Sequence, residues 1–125
     1  MKESCYFYKA YISKVIDGDS CVGDIDLGFG IKTSNTKIRL DGIDTAEIKS
    51  KDAVLKTKAL EAKQLLQALI ENKTVYLKSL GVDKYGRSLA EIYTIDGLCC
   101  NQELKNKNLA IEYDGGTKHK ELLKN

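Results

Sequence analysis

The stretch Lys37-Ile38-Arg39-Leu40-Asp41-Gly42-Ile43-Asp44-Thr45-Ala46-Glu47 places one guanidinium and three carboxylates where they could do chemistry. A guanidinium offers directional, charge-assisted donors to an anion, and grouped carboxylates offer hard oxygens to a cation. An anion and a cation could therefore both bind here. Read as an extended segment, Ile38 and Leu40 share a face and Arg39 and Asp41 share the other, which gives the strand a core side and a wet side. Gly42 breaks the alternation, and Asp44 and Glu47 are expected in a segment that has left the ladder. A second feature is Asp83-Lys84-Tyr85-Gly86-Arg87, a tight turn that leaves Arg87 at the mouth of a following strand, where a side chain can project over a site. Ordinary structural roles stand beside these. Asp17 and Asp19 could simply make a hairpin turn, Arg39 could pair with Asp41, Asp44 and Glu47 could cap the next segment, and Arg87 could stay solvated.

The elements that would position these residues can be read from periodicity. Tyr6 to Ile16 is rich in aromatic and β-branched residues and predicts a strand, with Asp17-Gly18-Asp19 as its turn. Ser20 to Leu27 returns, Gly28-Phe29-Gly30 turns again, and the polar run Lys32 to Thr36 is expected as a loop before the third strand. From Asp52 to Asn72, Leu55, Ala59, Ala62, Leu65, Leu66, Leu69 and Ile70 recur at three- and four-residue spacing, which predicts an amphipathic helix with Asp52 as N-cap. Thr74 to Leu80 and Ser88 to Ile95 read as strands, Asn101 to Lys107 as a short helix, and Leu109 to Tyr113 as a final extended piece before Gly115-Gly116 and a basic tail. Five short strands interrupted by a long helix fit an α+β chain whose antiparallel sheet closes into a five-stranded OB-fold barrel with about three helices. Periodicity does not fix strand order, and other α+β folds stay open at this point.

Composition bounds the rest. The 125 residues fit one domain, 1–125, with a single core that needs neither disulfides nor structural metal. No apolar run is long enough to span a bilayer, and Met1 to Lys9 has no apolar core or small-residue cleavage site of a secretory leader. A cytoplasmic, monomeric protein is expected. Cys5, Cys21, Cys99 and Cys100 have no C-x-x-C spacing and only His119 for company, so zinc is not expected and reduced thiols are, with a Cys5 to Cys21 bridge left open. Net charge is only +2, too small to name a nucleic-acid partner, although Lys49, Lys51, Lys56 and Lys58, and Lys105, Lys107, Lys118, Lys120 and Lys124, could form a basic rim as readily as solvated faces.

Three blocks taken together carry a resemblance: Val15-Ile16-Asp17-Gly18-Asp19-Ser20, Ile38-Arg39-Leu40-Asp41-Gly42-Ile43-Asp44-Thr45-Ala46-Glu47, and Asp83-Lys84-Tyr85-Gly86-Arg87, followed by the asparagine and Leu-Ala pattern of Asn101 to Ala110. In that order and spacing they resemble the staphylococcal (micrococcal) nuclease family over roughly the whole domain. Any one block is common; their conjunction is specific. The resemblance implies a calcium-dependent enzyme that hydrolyses phosphodiester bonds of DNA and/or RNA, single strands favoured, by attack of water at phosphorus, leaving a 3′-phosphate and a 5′-hydroxyl. It implies Asp19, Asp44 and the Thr45 carbonyl as calcium ligands, Arg39, Glu47 and Arg87 as catalytic residues, and Lys84, Tyr85 and Tyr113 as nucleic-acid contacts. The residue types agree: calcium takes oxygen ligands and keeps open positions for water and phosphate, guanidinium groups grip nonbridging oxygens as they gain charge, and a carboxylate such as Glu47 can orient water. The sequence departs from the family in carrying Ala46 where proline is usual, which removes a rigid link from the turn holding Glu47. Ser20 replaces threonine, and the C-terminal region is shorter. A noncatalytic OB-fold module that binds single strands or a protein partner is the alternative.

Overall fold

The computed structural model describes residues 6–113 of the chain. Strands β1 (Phe7–Asp17), β2 (Ser20–Gly28) and β3 (Ile31–Leu40) form the expected antiparallel meander. Helix α1 (Ala53–Ile70) separates them from β5 (Lys73–Val82) and β6 (Ser88–Tyr93), and the five close into a barrel in the order β1-β2-β3-β6-β5. Closure joins β3 to β6 in parallel through Ile38↔Ser88, Arg39↔Leu89 and Leu40↔Ala90. The short strand β4 (Ile43–Thr45), helix α2 (Cys100–Asn106) and strand β7 (Ala110–Glu112) complete the described chain. This is the OB-like α+β architecture, with two helices among the described residues where about three are expected.

The core is built from the inward faces of the strands and one stripe of α1. Ile12 and Val15 from β1, Ile38 and Leu40 from β3, Val75 and Leu77 from β5, and Ile92 from β6 meet Ala62, Leu66 and Ile70 of α1. Asp52 caps α1 as its sequence position predicts, its Oδ1 accepting from Val54 N at 2.9 Å and Leu55 N at 3.1 Å. At the other end Asn72 adopts φ +58°, the left-handed conformation that asparagine tolerates, and its N–H donates to Ile12 O at 2.7 Å, so the chain leaves the helix already docked on β1.

Two expectations are corrected. Lys32 to Thr36 is not a loop but part of β3. A polar run can stay in a strand here because the ladder accommodates a bulge: Asn35 takes φ +51°, its N–H donates to Asp24 Oδ1 at 3.0 Å, and the register shifts between Gly23 and Ile25. Asp44 has left the barrel ladder but not every ladder. It lies in β4, which pairs antiparallel with β7 through Ile43↔Glu112, Asp44↔Ile111 and Thr45↔Ala110.

Candidate active site

The Asp17-Gly18-Asp19 turn at the end of β1 is fixed from within and from the side. Asp17 Oδ1 accepts from Asp19 N at 3.3 Å and from Ser20 Oγ at 2.7 Å. Asp19 O accepts from Leu40 N at 2.9 Å, which ties the turn to the end of β3. Asp19 Oδ2 accepts from Thr45 N at 3.2 Å. The turn is thus laid across the strand and short sheet that carry Arg39 and Asp44.

Arg39 does not face water as its strand position implies; only 7% of it is exposed. The face opposite the barrel core is covered by Asp19 and Asp44, and a buried guanidinium requires such partners. Its Nη2 lies 3.4 Å from Asp19 Oδ2 and 3.5 Å from Asp44 Oδ1, and its Nη1 donates to Leu40 O at 2.7 Å. Asp44 and Thr45 are each only 2% exposed. Two buried carboxylates therefore share one guanidinium. Burial, reinforced by the neighbouring Asp17, pushes the Asp19 carboxyl up to about 7 against the opposing pull of Arg39. Burial would raise Asp17 as well, but hydrogen bonds from Asp19 and Ser20 outweigh it and hold that group below its ordinary value.

The remaining residues approach from other elements. Glu47 is exposed just past β4, and Ser50 N donates to its carbonyl at 3.0 Å. Ala46 beside it is buried and packs with Ala59, Ile48, Leu55 and Ile111, so packing restrains the turn where a proline is usual in the family. Across the cleft, Asp83 shapes the turn that presents Arg87: its Oδ1 accepts from Tyr85 N and Arg87 N, each at 2.9 Å, and its Oδ2 accepts from Arg87 Nε at 2.7 Å. Those bonds hold Asp83 below the ordinary carboxylate range although partial burial acts the other way. Tyr85 is 72% exposed, with Lys84 Nζ 5.4 Å and Arg87 Cζ 5.5 Å from its ring centre. Tyr113 N donates to Gly42 O at 2.9 Å, which brings the end of β7 to the β3–β4 turn.

Asp19, Arg39, Asp44, Thr45, Glu47, Lys84, Tyr85, Arg87 and Tyr113 all line one open cleft of about 1050 Å³. Sequence reading missed two members of this group as working parts: Asp17, which orders Asp19, and Asp83, which aims Arg87. The signal was present in both cases, because an aspartate opening a turn commonly accepts from backbone N–H groups two or more residues on. Lys49 also lines the cleft, whereas Cys21 and Cys100 are buried in the core, where burial pushes both thiols up to about 12. Cys5 and His119 lie outside the described residues.

The donor set fits a hard cation. Asp19 and Asp44 supply only oxygen, they are buried, and both approach the same guanidinium. Among the described residues no group of three or more His, Cys, Asp or Glu side chains gathers into a metal cage, so an ion here would complete its shell with backbone oxygen, water and a bound anion. Also among the described residues, no helix is long and apolar enough to cross a membrane.

None of the curated proteins compared matches the chain. The family model described as staphylococcal nuclease homologue matches residues 37–125, well over half of the chain and the whole of the Arg39–Glu47 and Asp83–Arg87 blocks. Asp19 precedes the match and joins the same cleft by geometry. Barrel, cleft and match agree on a nuclease-type fold, and the chain belongs to the staphylococcal nuclease homologue family.

Proposed function

We propose that this protein is a calcium-dependent nuclease that hydrolyses phosphodiester bonds of DNA and/or RNA, working as a monomer whose 125 residues form one domain. The observation that carries the reading is the meeting, in one cleft, of two buried carboxylates, a buried arginine between them, and a second arginine and a glutamate from separate elements. Asp19, Asp44 and the Thr45 carbonyl would hold the ion. Calcium, when bound, would act as a Lewis acid on a phosphate oxygen and lower the charge of the site.

The chain's own residues supply the rest. Arg39 and Arg87 reach the cleft from β3 and from the Asp83–Arg87 turn, so two guanidiniums can grip nonbridging oxygens that gain negative charge as water attacks. Glu47, exposed at the rim, orients that water and accepts its proton. The P–O bond to the 5′ oxygen breaks, the leaving oxygen takes a proton from solvent water, and a 3′-phosphate and a 5′-hydroxyl result with no covalent enzyme intermediate. Lys84 and Lys49 offer charge to the polyanion, and the exposed Tyr85 ring and Tyr113 offer faces on which an unpaired base can stack, which favours single strands.

The test is cleavage of heat-denatured DNA and of RNA by wild type, Glu47→Ala and Arg39→Ala, each with calcium and with a calcium chelator. Calcium-dependent cleavage that both substitutions reduce at least a hundredfold is expected. Absence of cleavage by a folded protein that still binds single strands would overturn the enzyme reading in favour of a noncatalytic OB-fold module.

A further inference from the structure

Gly18 is glycine for a reason of space. It does not adopt the left-handed backbone that calls for glycine elsewhere in the chain, yet a Cβ built on it would lie 2.6 Å from Ala62 Cβ and 3.1 Å from both Thr45 Cγ2 and Thr45 Oγ1. Ala62 is fully buried in the middle of α1, and its Cβ is fixed to the helix backbone, so it cannot swing aside as the end of a long side chain would. The turn between β1 and β2 therefore sits in direct contact with the helix on one side and with Thr45 on the other. Both contacts exist only because residue 18 has no side chain and residue 62 has a single methyl.

The turn bears Asp19, and its placement fixes two distances: Asp19 Oδ2 to Thr45 N, 3.2 Å, and Asp19 Oδ2 to Arg39 Nη2, 3.4 Å. The first is already at the long end of a hydrogen bond, so a displacement of a few tenths of an ångström removes it. We propose that Gly18 and Ala62 are positioning residues: their close approach sets how near Asp19 stands to Thr45 and Asp44, and hence the separation of the carboxylate pair. That this separation serves an ion rests on the function proposed above. That Gly18 sets it does not.

Gly18→Ala, Ala62→Gly and the double variant separate these statements. In metal-free protein, hydrogen exchange of the Thr45 amide, measured against barrel amides such as Val75, reports the Asp19 contact without calcium. Gly18→Ala is expected to speed Thr45 exchange at least tenfold more than that of Val75. Ala62→Gly alone, which frees the turn on its helix side, is expected to speed Thr45 exchange relative to Val75 by a smaller factor than Gly18→Ala, and the double variant, in which one methyl replaces the other, is expected to bring the ratio back near that of wild type. Should Gly18→Ala not fold, Ala62→Ser presses the same turn from the helix side and is expected to speed Thr45 selectively. Unchanged Thr45 exchange in the folded variant, or a double variant no better than Gly18→Ala, overturns the proposal. Calcium affinity measured by calorimetry on the same proteins supplies the second arm: a tenfold or greater loss in Gly18→Ala, regained in the double variant, extends the role to ion binding. Wild type that takes up no calcium while Thr45 responds as expected overturns the calcium reading and leaves the positioning role standing.

Discussion

Arg39 Nη2 lies 3.4 Å from Asp19 Oδ2, joining the end of β3 to a turn twenty residues earlier, and the same nitrogen lies 3.5 Å from Asp44 Oδ1. The guanidinium lies within 3.5 Å of both carboxylates, so it stabilises part of their charge in the metal-free protein. Removing one member of a buried ionic group leaves the others uncompensated, at a cost of about 3 kcal/mol. Arg39→Met is accordingly expected to lose about that much stability at pH 8 in the presence of a chelator. The loss should shrink at pH 5, where a proton on Asp19 can replace the guanidinium. Saturating calcium should raise the melting temperature of Arg39→Met more than that of wild type. Urea unfolding with and without calcium checks both statements, and an equal calcium response in the two proteins would refute the shared-carboxylate account.

The Asp19 carboxyl also makes stability depend on pH. Its value is raised from the ordinary 3.8 to about 7 by burial, so folding favours the protonated form. That contribution is complete below 3.8 and is lost as pH rises through about 7. Asp17 has the opposite sign: its lowered value contributes stability above the ordinary range and loses it only under more acidic conditions, outside the Asp19 window. Metal-free wild type is therefore expected to lose on the order of 2 kcal/mol between pH 5 and pH 8. Asp19→Asn should flatten the profile, and saturating calcium should reverse its slope, because an ion favours the charged carboxylate. Unfolding free energies across that pH range in chelator decide the matter; a flat wild-type profile is the adverse result.

Asn101 illustrates a different kind of support. Although 95% of its surface is covered by protein, every side-chain polar group is satisfied. Its Oδ1 accepts from Ile92 N at 3.0 Å, and its Nδ2 donates to Asp41 O at 2.8 Å and Ala90 O at 3.2 Å. One amide thus fastens α2 to β6 and to the turn that leads into β4. Asn101→Ala removes all three of these bonds, leaving Ala90 O its bond from Asp41 N at 2.8 Å, and is expected to cost roughly 2–4 kcal/mol. Asn101→Asp keeps the acceptor for Ile92 but aims a carboxylate at two carbonyl oxygens, so it should be at least as destabilising at pH 7 and recover part of the loss near pH 4, where protonation restores a donor. Denaturant midpoints of the two variants at both pH values test the assignment.

Much of the fold and the site is legible in the sequence wherever local periodicity or turn chemistry controls it. The α1 stripe and its Asp52 cap, the two turns of the meander, and the strand holding Arg39 all follow from neighbours along the chain. Burial of Arg39 does not, because alternation assigns it to the face away from the barrel core without revealing that Asp19 and Asp44 cover that face. Strands β4 and β7 have three residues each, too few to show a period of two, and they become strands only by pairing with each other. The Lys32–Thr36 run departs from its sequence expectation for a related reason: its composition is that of a loop, while the ladder with β2 and the Asp24 to Asn35 bulge hold it extended. The family resemblance named the candidate residues; the closed barrel brings Arg87 to the cleft of Asp19 and Arg39.

Asp83 and Arg87 form a close ionic contact at the cleft, Nε to Oδ2 at 2.7 Å, on a turn whose backbone the same carboxylate also holds. The contact is partly open to solvent, so its share of stability is small, and salt weakens it further. Its consequence lies in aim. With Nε engaged, the outer edge of the guanidinium is directed by Asp83 instead of sampling solvent, and preorganised donors are worth more to a developing charge than mobile ones. Under the proposed nuclease function, Arg87→Ala should reduce cleavage about a hundredfold. Asp83→Ala should reduce it about tenfold, the equivalent of 1.4 kcal/mol in the barrier. If Asp83 acts through Arg87, the double variant should be no slower than Arg87→Ala alone, because nothing remains to be aimed. Single-turnover rates for the four proteins close this cycle, and multiplicative losses would assign Asp83 a role independent of Arg87.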